Sequence, residues 1–157
     1  MDKRRKNRFI LLYSALFFLG FPLAGMLYVY NKAHSTMRVA AIPFAQEATA
    51  KILGERDYEE LHFLATMSLK HKLDEIEFKE ELDRWGAYIA VGEFATVRSN
   101  VRIIDDMTWQ FVELITDVKF EHGSAKLKFT AARRSTMLED WRIEEFELSD
   151  PTVEQPK

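Results

Sequence analysis

The pattern of apolar and polar positions divides the chain into three stretches. Five Lys and Arg residues lie between residues 3 and 8, and an uncharged run follows from Phe9 to Tyr30. Apolar residues then recur every three to four positions over residues 35–90, which is typical of amphipathic helices. From residue 94 onward they alternate with polar residues, which is typical of strands. The pattern therefore predicts an apolar N-terminal helix, then further helices, then a sheet.

The uncharged run is long enough to cross a bilayer. As a helix, residues 9–30 span about 33 Å at about 1.5 Å per residue, against a bilayer core of about 30 Å. Lys and Arg concentrate on the cytoplasmic side of a span, so the basic residues predict an N-terminus inside. We expect a single-pass protein of the cytoplasmic (inner) membrane, with its C-terminal domain in the periplasm or outside.

A cleaved signal peptide is the alternative to this anchor. The apolar region of a signal peptide is only about 7–15 residues long and ends at a site with small residues two positions apart. Ala24 and Ala33 are the best sites, but Pro22 and Asn31 stand two positions earlier, so we favour an uncleaved anchor. The chain has no cysteine, which excludes a lipid-modified cysteine and disulfide bonds.

The resulting division of the chain has five parts. We predict a cytoplasmic basic tail over residues 1–8, a transmembrane anchor over 9–30, a juxtamembrane linker over 31–37, an extracytoplasmic α+β roll over 38–150 and a flexible tail over 151–157.

Stop and cap residues divide the helical stretch into about three helices. Gly54 ends the first helix, whose apolar positions recur every four residues. Asp57 caps the second helix, with Glu60 as its capping-box partner. The third helix runs from Asp74 to a stop at Gly86, and its charged face is expected to face solvent.

Four alternating runs follow, joined by short polar turns, so that successive strands are antiparallel neighbours. In the last run, a bulge near residues 144–145 would bring Trp141, Ile143, Phe146 and Leu148 to one face, although their spacing changes parity. Helices followed by an antiparallel meander predict an α+β fold, with about three helices packed on a curved four-stranded sheet. The four runs are residues 97–103, 109–120, 125–134 and 141–148.

Two local motifs resemble those of a known superfamily. Residues 54–61, GERDYEEL, are similar to the joint between the first two helices of small bacterial members, and residues 141–146, WRIEEF, are similar to the end of their last strand. Over residues 38–149 the chain resembles the nuclear transport factor 2-like superfamily, a cystatin-like α+β roll, and looks like a small membrane-anchored bacterial member. The resemblance implies a cone-shaped pocket between helices and sheet. Members range from isomerases and dehydratases to scaffolds, including the single-span inner-membrane scaffold proteins of type IV secretion.

The implied pocket provides one set of candidate binding residues. Tyr58, His62, Trp85 and Tyr88 would line it and offer aromatic surface to an apolar ligand. His62 also has a simpler interpretation as a surface histidine at a helix edge. The sequence contains no phosphate-binding loop, nucleophile motif or metal-ligating pair of histidines. We therefore expect no catalytic residue, no metal and no cofactor.

The outer face of the sheet provides a second set. In the run 109–120 the parity of Val112 and Leu114 is the better core face, which leaves Trp109, Phe111 and Ile115 outside. Three apolar side chains together on a charged face indicate a protein contact. Burial by the loop after the third strand, or a bulge that reverses the parity, is the alternative. The charged residues expected to form cross-strand ion pairs on this face are Glu113, Asp117, Arg98, Arg102, Lys126 and Lys128.

The charge balance restricts the partners. Residues 32–157 hold 17 Lys and Arg against 24 Asp and Glu, a net charge of −7, which argues against nucleic acid or anionic lipid headgroups as the main partner. We predict a non-enzymatic, membrane-tethered interaction or scaffold domain, either a homodimer or a subunit of an envelope assembly, whose partners are itself or other envelope proteins. The alternative is a small-molecule-binding or enzymatic domain that uses the implied pocket.

Overall fold

The computed structural model describes residues 3–135 and 140–150 of the 157-residue chain, with side chains from Gly25 onward except those of residues 27, 30 and 33. The chain divides into two compact units, Met1–Thr36 and Met37–Lys157. The predicted anchor over residues 9–30 lies largely outside the described side chains, and the predicted tails over residues 1–8 and 151–157 also lie outside them. Where the chain is described, no helix combines the length and the apolar character that a membrane crossing requires.

Helix α1 runs from Lys3 to Gly54, and its residues 37–54 belong to the second unit. Residues 31–37, predicted as a linker, are helical. In the second unit one face of α1 is buried, and the burial recurs every three to four residues as the sequence pattern predicts. Several of these residues are alanines, so the helix backbone can lie close to its neighbours. The buried residues are Met37, Ala41, Ala45, Ala48, Thr49, Ile52 and Leu53.

Three short helices follow: α2 (Tyr58–Leu64), α3 (Met67–Lys70) and α4 (Glu75–Trp85). The predicted cap of α2 is confirmed, because the Asp57 carboxylate accepts a hydrogen bond from Glu60 N. The predicted start of α4 near Asp74 is also confirmed, and the Asp74 carboxylate accepts hydrogen bonds from two backbone N–H groups. Gly86, at a φ of 80°, ends α4 as predicted. The four-residue helix α3 was not predicted, because a single turn is too short to show a helical period.

The sheet has five strands, so the prediction of four is wrong. They are β1 (Tyr88–Val91), β2 (Ala95–Ile104), β3 (Met107–Phe120), β4 (Gly123–Arg134) and β5 (Arg142–Ser149). All neighbours are antiparallel; β3 pairs with β4 on one edge and with β1 and β2 on the other. The sequence placed most of β1 at the end of the helical stretch because its four residues are all apolar and show no apolar–polar alternation. The fold class, helices combined with an antiparallel sheet, is confirmed.

The predicted bulge in β5 is confirmed. Thr130 pairs with Glu145 and Ala131 pairs with Ile143, which leaves Glu144 as the extra residue. Trp141 and Ile143 are buried, and Phe146 and Leu148 pack against the core from the other side of the bulge. The predicted core face of β3 is confirmed as well, since Val112, Leu114, Val118 and Phe120 are all buried.

The ring of Phe129 lies at the centre of this core. It is fully buried, and three phenylalanine rings from three different parts of the second unit contact it edge-on. Phe44 of α1 lies 5.8 Å away between ring centroids, Phe94 6.1 Å and Phe146 of β5 6.0 Å. One side chain therefore connects the helix layer, the β1–β2 connection and the last strand.

Phe129→Ala should lower the free energy of unfolding by about 3–5 kcal/mol, because it removes buried surface and leaves a cavity that three rings cannot fill. The matched control is Ile76→Ala, since Ile76 is 69% exposed on α4 and should change stability by no more than about 0.5 kcal/mol. Chemical unfolding of the full-length chain in detergent measures both. Equal losses would contradict the central position of Phe129.

Candidate functional site

The four residues predicted to line a cone pocket form two separate groups. Tyr58 packs against Phe78, and His62 is exposed with its ring 6.2 Å from that of Tyr58. Trp85 is buried and stacks on Phe120, and Tyr88 contacts the same ring edge-on. None of the four lines any of the three pockets described below. A ligand-binding role for them stays a prediction that this geometry does not favour.

A different pocket opens between α1, α2 and the end of β4. It has a volume of about 490 Å³, and its lining is Phe44, Glu47, Ala48, Lys51, Glu60, Leu64, Arg133, Asp140 and Trp141. The Arg133 guanidinium lies 4.5 Å above the Trp141 ring, and its Nε donates to Gln110 at 2.8 Å. Lys51 is paired with Glu60 at 3.0 Å. Sequence reasoning missed this helix-side pocket because Arg133 belongs to a strand whose other inward residues are apolar.

The outer face of the sheet carries the second predicted set, and the three apolar residues differ there. Phe111 is 7% exposed and thus buried, although it lies on the outer face. Trp109 stacks beside it at 6.4 Å and is half-buried. Ile115 is also half-buried, but Glu113 separates it from the two rings along β3. The expected patch of three exposed side chains is therefore wrong in its exposure, and the aromatic pair lies in a depression.

That depression consists of two adjacent pockets, of about 220 Å³ and about 870 Å³, which share Phe111 and Glu144. We call them together the outer groove. Trp109 and Phe111 form part of its lining on β3, β2 contributes one side, and residues of the α2–α4 region contribute the other. The outer groove is lined by Ala65, Thr66, Met67, Ser68, Lys70, Lys72, Arg98, Asn100, Arg102, Ile104, Asp105, Trp109, Phe111, Glu113, Thr130, Arg134, Asp140, Arg142, Glu144 and Glu145.

The helical side of the outer groove is fixed to β5 at its bulge. The backbone N–H of Thr66 donates to the carbonyl of Ile143 at 2.9 Å. Its hydroxyl donates to the Glu144 carboxylate at 2.6 Å. Ala65 also forms an isolated parallel bridge with Ile143. These contacts join residues far apart in the chain, which explains why no local sequence pattern indicated a groove.

Ion pairs extend across the four longer strands on this face, as predicted for Glu113, Arg98 and Lys128, and Lys126 pairs with Asp117 at 3.0 Å. Arg102, which was also expected to pair, forms no ion pair with a described carboxylate and lies over the Phe111 ring instead. Glu113 of β3 pairs with Arg98 of β2 and lies 3.9 Å from Lys128 of β4. Lys128 in turn pairs with Glu145 of β5 at 2.9 Å. Thr130 donates a further hydrogen bond to the same Glu145 carboxylate at 3.0 Å. The carboxylates of this network are thereby held by cations of the protein itself.

The ion-pair network changes the pKa of the Lys128 ammonium group. Its pKa is raised above the ordinary 10.5, chiefly by the hydrogen bond that it donates to Glu145 and further by the negative charges of Glu145, Glu113 and Glu147. Partial burial acts in the opposite direction but is the smaller effect.

Two aromatic side chains of the groove also contact arginines. The Arg102 guanidinium lies 5.0 Å above Phe111, and that of Arg134 lies 5.3 Å above Trp109. A nearby polar atom, Asn100 Oδ1, is buried without a hydrogen-bond partner among the described residues. Unpaired buried polar groups are uncommon in folded proteins, so the packing of the fold alone does not explain the position of the Asn100 side chain in the groove.

Comparison of the chain with family models, with curated proteins and with solved structures finds no match. Within the described ranges, no cluster of three His, Cys, Asp or Glu side chains could hold a metal ion. The site must therefore be interpreted from its own geometry.

Lys128→Met should lower the free energy of unfolding at neutral pH by about 0.5–1 kcal/mol, because it breaks the ion-pair network across β3, β4 and β5. A raised pKa in the folded state means that the protonated amine stabilises the fold at neutral pH and loses this effect as the pH rises through that pKa. The difference between wild type and variant should therefore shrink above about pH 10.5.

Unfolding of the two full-length proteins across this pH range measures the effect. Lys119→Met is the control, since Lys119 is exposed on β3 and forms no ion pair with a described carboxylate. A difference between wild type and Lys128→Met that stays constant up to the most alkaline pH would contradict the role given to the ammonium group.

Proposed function

We propose that the chain is a membrane-tethered interaction protein that binds a partner protein through the outer groove. The observation that carries this proposal is the pair Trp109 and Phe111. The two rings lie in a concave face of the sheet, next to the ion pairs that connect the four longer strands. Partly buried aromatics with arginines beside them are typical of the residues that dominate binding energy at protein interfaces. No convergent catalytic set accompanies them among the described residues.

The proposed tether is the uncharged run over residues 9–30. Its support is the sequence: a bilayer-length apolar run preceded by five basic residues. In this arrangement residues 1–8 lie in the cytoplasm and the second unit lies outside. Confinement to the membrane would raise the effective concentration of the domain near any partner in the same membrane.

The finer description of the fold is part of the same proposal. A nuclear transport factor 2-like roll has helices wrapped by a curved antiparallel sheet. Helix order, sheet pairing and the bulge at Glu144, which bends a strand, support that description. Fold alone does not define function, so the proposed activity depends on the groove and not on the resemblance.

The helix-side pocket favours a second candidate function, the binding of a small anion with an apolar body. Arg133 is held in place by Gln110 and Trp141, and it forms no ion pair with a described carboxylate. Phe44 and Leu64 supply apolar surface in the same pocket. Guanidinium groups bind carboxylates in a bidentate geometry, so a small aromatic carboxylate is expected to pair with Arg133, whereas Glu47 and Asp140, which also line the pocket, disfavour a second negative charge on the ligand.

The second function is tested with 4-fluorophenylacetate and the full-length chain, observed by fluorine NMR. Binding to the pocket should broaden and shift the fluorine signal, and Arg133→Gln should abolish the change because the anion loses its partner. Arg84→Gln, on the exposed face of α4, is the control. Equal broadening with wild type and with Arg133→Gln would rule out this pocket as the binding site.

The leading function is tested by site-specific photo-crosslinking in intact cells. Replacing Trp109 with p-benzoylphenylalanine should give a defined crosslinked product with one membrane or envelope partner, because the reactive group lies in the groove. The same amino acid at Lys119, exposed on the same strand but outside the groove, should give no such product.

Products of the same kind at both positions would contradict a specific contact. The absence of any product at Trp109, and at Met67 on the opposite side of the groove, would contradict the proposed function.

A further inference from the structure

The outer groove holds positive charges that the protein does not neutralise. Lys70, Lys72, Arg102 and Arg142 line it, and none of them forms an ion pair with a described carboxylate. Arg142 is positioned by a hydrogen bond to the carbonyl of Phe63 at 2.8 Å, which leaves its charge uncompensated. This arrangement stands out because residues 32–157 have a net charge of −7.

Two of the five carboxylates that line the groove are paired with cations of the protein. Glu113 and Glu145 are held by Arg98 and Lys128, and Glu144 accepts the hydroxyl hydrogen of Thr66 at 2.6 Å. Glu144, Asp105 and Asp140 form no ion pair with a described cation, and the last two are exposed. Four cations without an ion-pair partner among the described residues, Lys70, Lys72, Arg102 and Arg142, therefore face three such carboxylates, so the excess of unpaired charge in the groove is positive.

The shape of the groove selects the class of ligand. The larger of its two pockets has a volume of about 870 Å³ and combines Trp109 and Phe111 with the apolar side chains of Met67 and Ile104. A flat bilayer surface cannot enter a concave face of this kind, whereas a short polypeptide segment can place side chains in it. Apolar contacts and unpaired cations in one groove suit a segment that alternates acidic and apolar residues.

We propose that the outer groove binds an acidic polypeptide segment with at least one aromatic or large apolar side chain. The apolar side chain packs on the half-buried ring of Trp109, which stacks beside the buried Phe111, and the carboxylates of the segment meet Lys70, Lys72, Arg102 and Arg142. This inference rests on the proposed function and adds the chemistry of the partner. The partner segment is opposite in charge to the groove and has the same sign of charge as residues 32–157 taken together.

The test uses the full-length chain in a zwitterionic nanodisc and a fluorescein-labelled peptide, Glu-Asp-Phe-Glu-Asp-Phe-Glu, measured by fluorescence anisotropy. Charge reversal in Arg102→Glu or Lys72→Glu should weaken its binding about tenfold, because each introduces repulsion where attraction was. Lys119→Glu makes the same charge change on the exposed part of β3 outside the groove and should weaken binding less than about twofold. Circular dichroism confirms that each variant is folded, and Arg102→Gln and Lys72→Gln serve if a reversal is not.

Three comparisons decide the outcome. The proposal is supported by three results together. The Glu/Asp peptide binds, the same peptide with Gln and Asn in place of its acids does not bind, and the peptide with Ala in place of Phe binds more weakly. Equal binding of the neutral peptide, or equal binding by the groove variants and Lys119→Glu, overturns it. Stronger binding to phosphatidylglycerol vesicles than to the peptide, with the same dependence on Arg102 and Lys72, also overturns it in favour of a lipid.

The failure of this inference is distinguishable from failure of the proposed function. A partner crosslinked at Trp109 together with no affinity for the acidic peptide removes only the acidic chemistry. If the crosslink at Trp109 is absent as well, the groove is not an interaction site.

Discussion

The extra residue in β5 determines both faces of the sheet. Without a bulge at Glu144, the even-numbered residues of β5 would share a face with Phe146, and Ile143 would point away from the core. The bulge changes the parity, so that Ile143 enters the core while Glu144 and Glu145 face the outer groove. The same site receives the backbone N–H and the hydroxyl of Thr66. One inserted residue thus closes the core on one side and anchors the helical wall of the groove on the other.

The ion pairs on the outer face separate the charges of the groove into two kinds. Glu113 and Glu145 are neutralised within the sheet by Arg98 and Lys128, so they do not cancel the field of the remaining cations. Close pairs of this kind contribute little stability individually, but they decide which charges a ligand meets. An acidic domain can in this way present a positive groove, because a field at short range depends on the nearest unpaired charges and not on the net charge.

Most of the fold could be predicted from the sequence, because its longer elements repeat their pattern several times. The two longest strands, β3 and β4, show period-two alternation along much of their 14 and 12 residues, and the caps at Asp57 and Asp74 are local motifs. β1 and α3 have four residues each, too few for any period to appear. The bulge could be predicted because Trp141 and Ile143 differ in parity from Phe146 and Leu148, and only an extra residue can bring all four inward.

The site was less accessible to sequence reasoning, since it depends on long-range contacts. Parity placed Trp109 and Phe111 on the outer face, but the depth of the groove comes from the docking of Thr66 on β5, which no local motif encodes. The residues predicted to line a cone pocket form two separate groups for a similar reason. Tyr58 and Trp85 lie on different helices, and a helical period says which residues share a face but not toward which partner that face turns.

The wall contributed by Thr66 also explains how the outer face of one sheet can form a groove. On an open sheet surface, water competes directly with a ligand for the exposed side chains. Phe111 is shielded from water. Its partner on β4 is the small residue Ala132, and the Arg102 guanidinium covers its ring. The ring is therefore buried before any ligand arrives, and a bound side chain would add to a contact surface that is already ordered. Preorganisation of this kind lowers the entropy lost on binding. Combined with the proposed tether, it allows a contact of modest intrinsic affinity to be populated when both partners share one membrane.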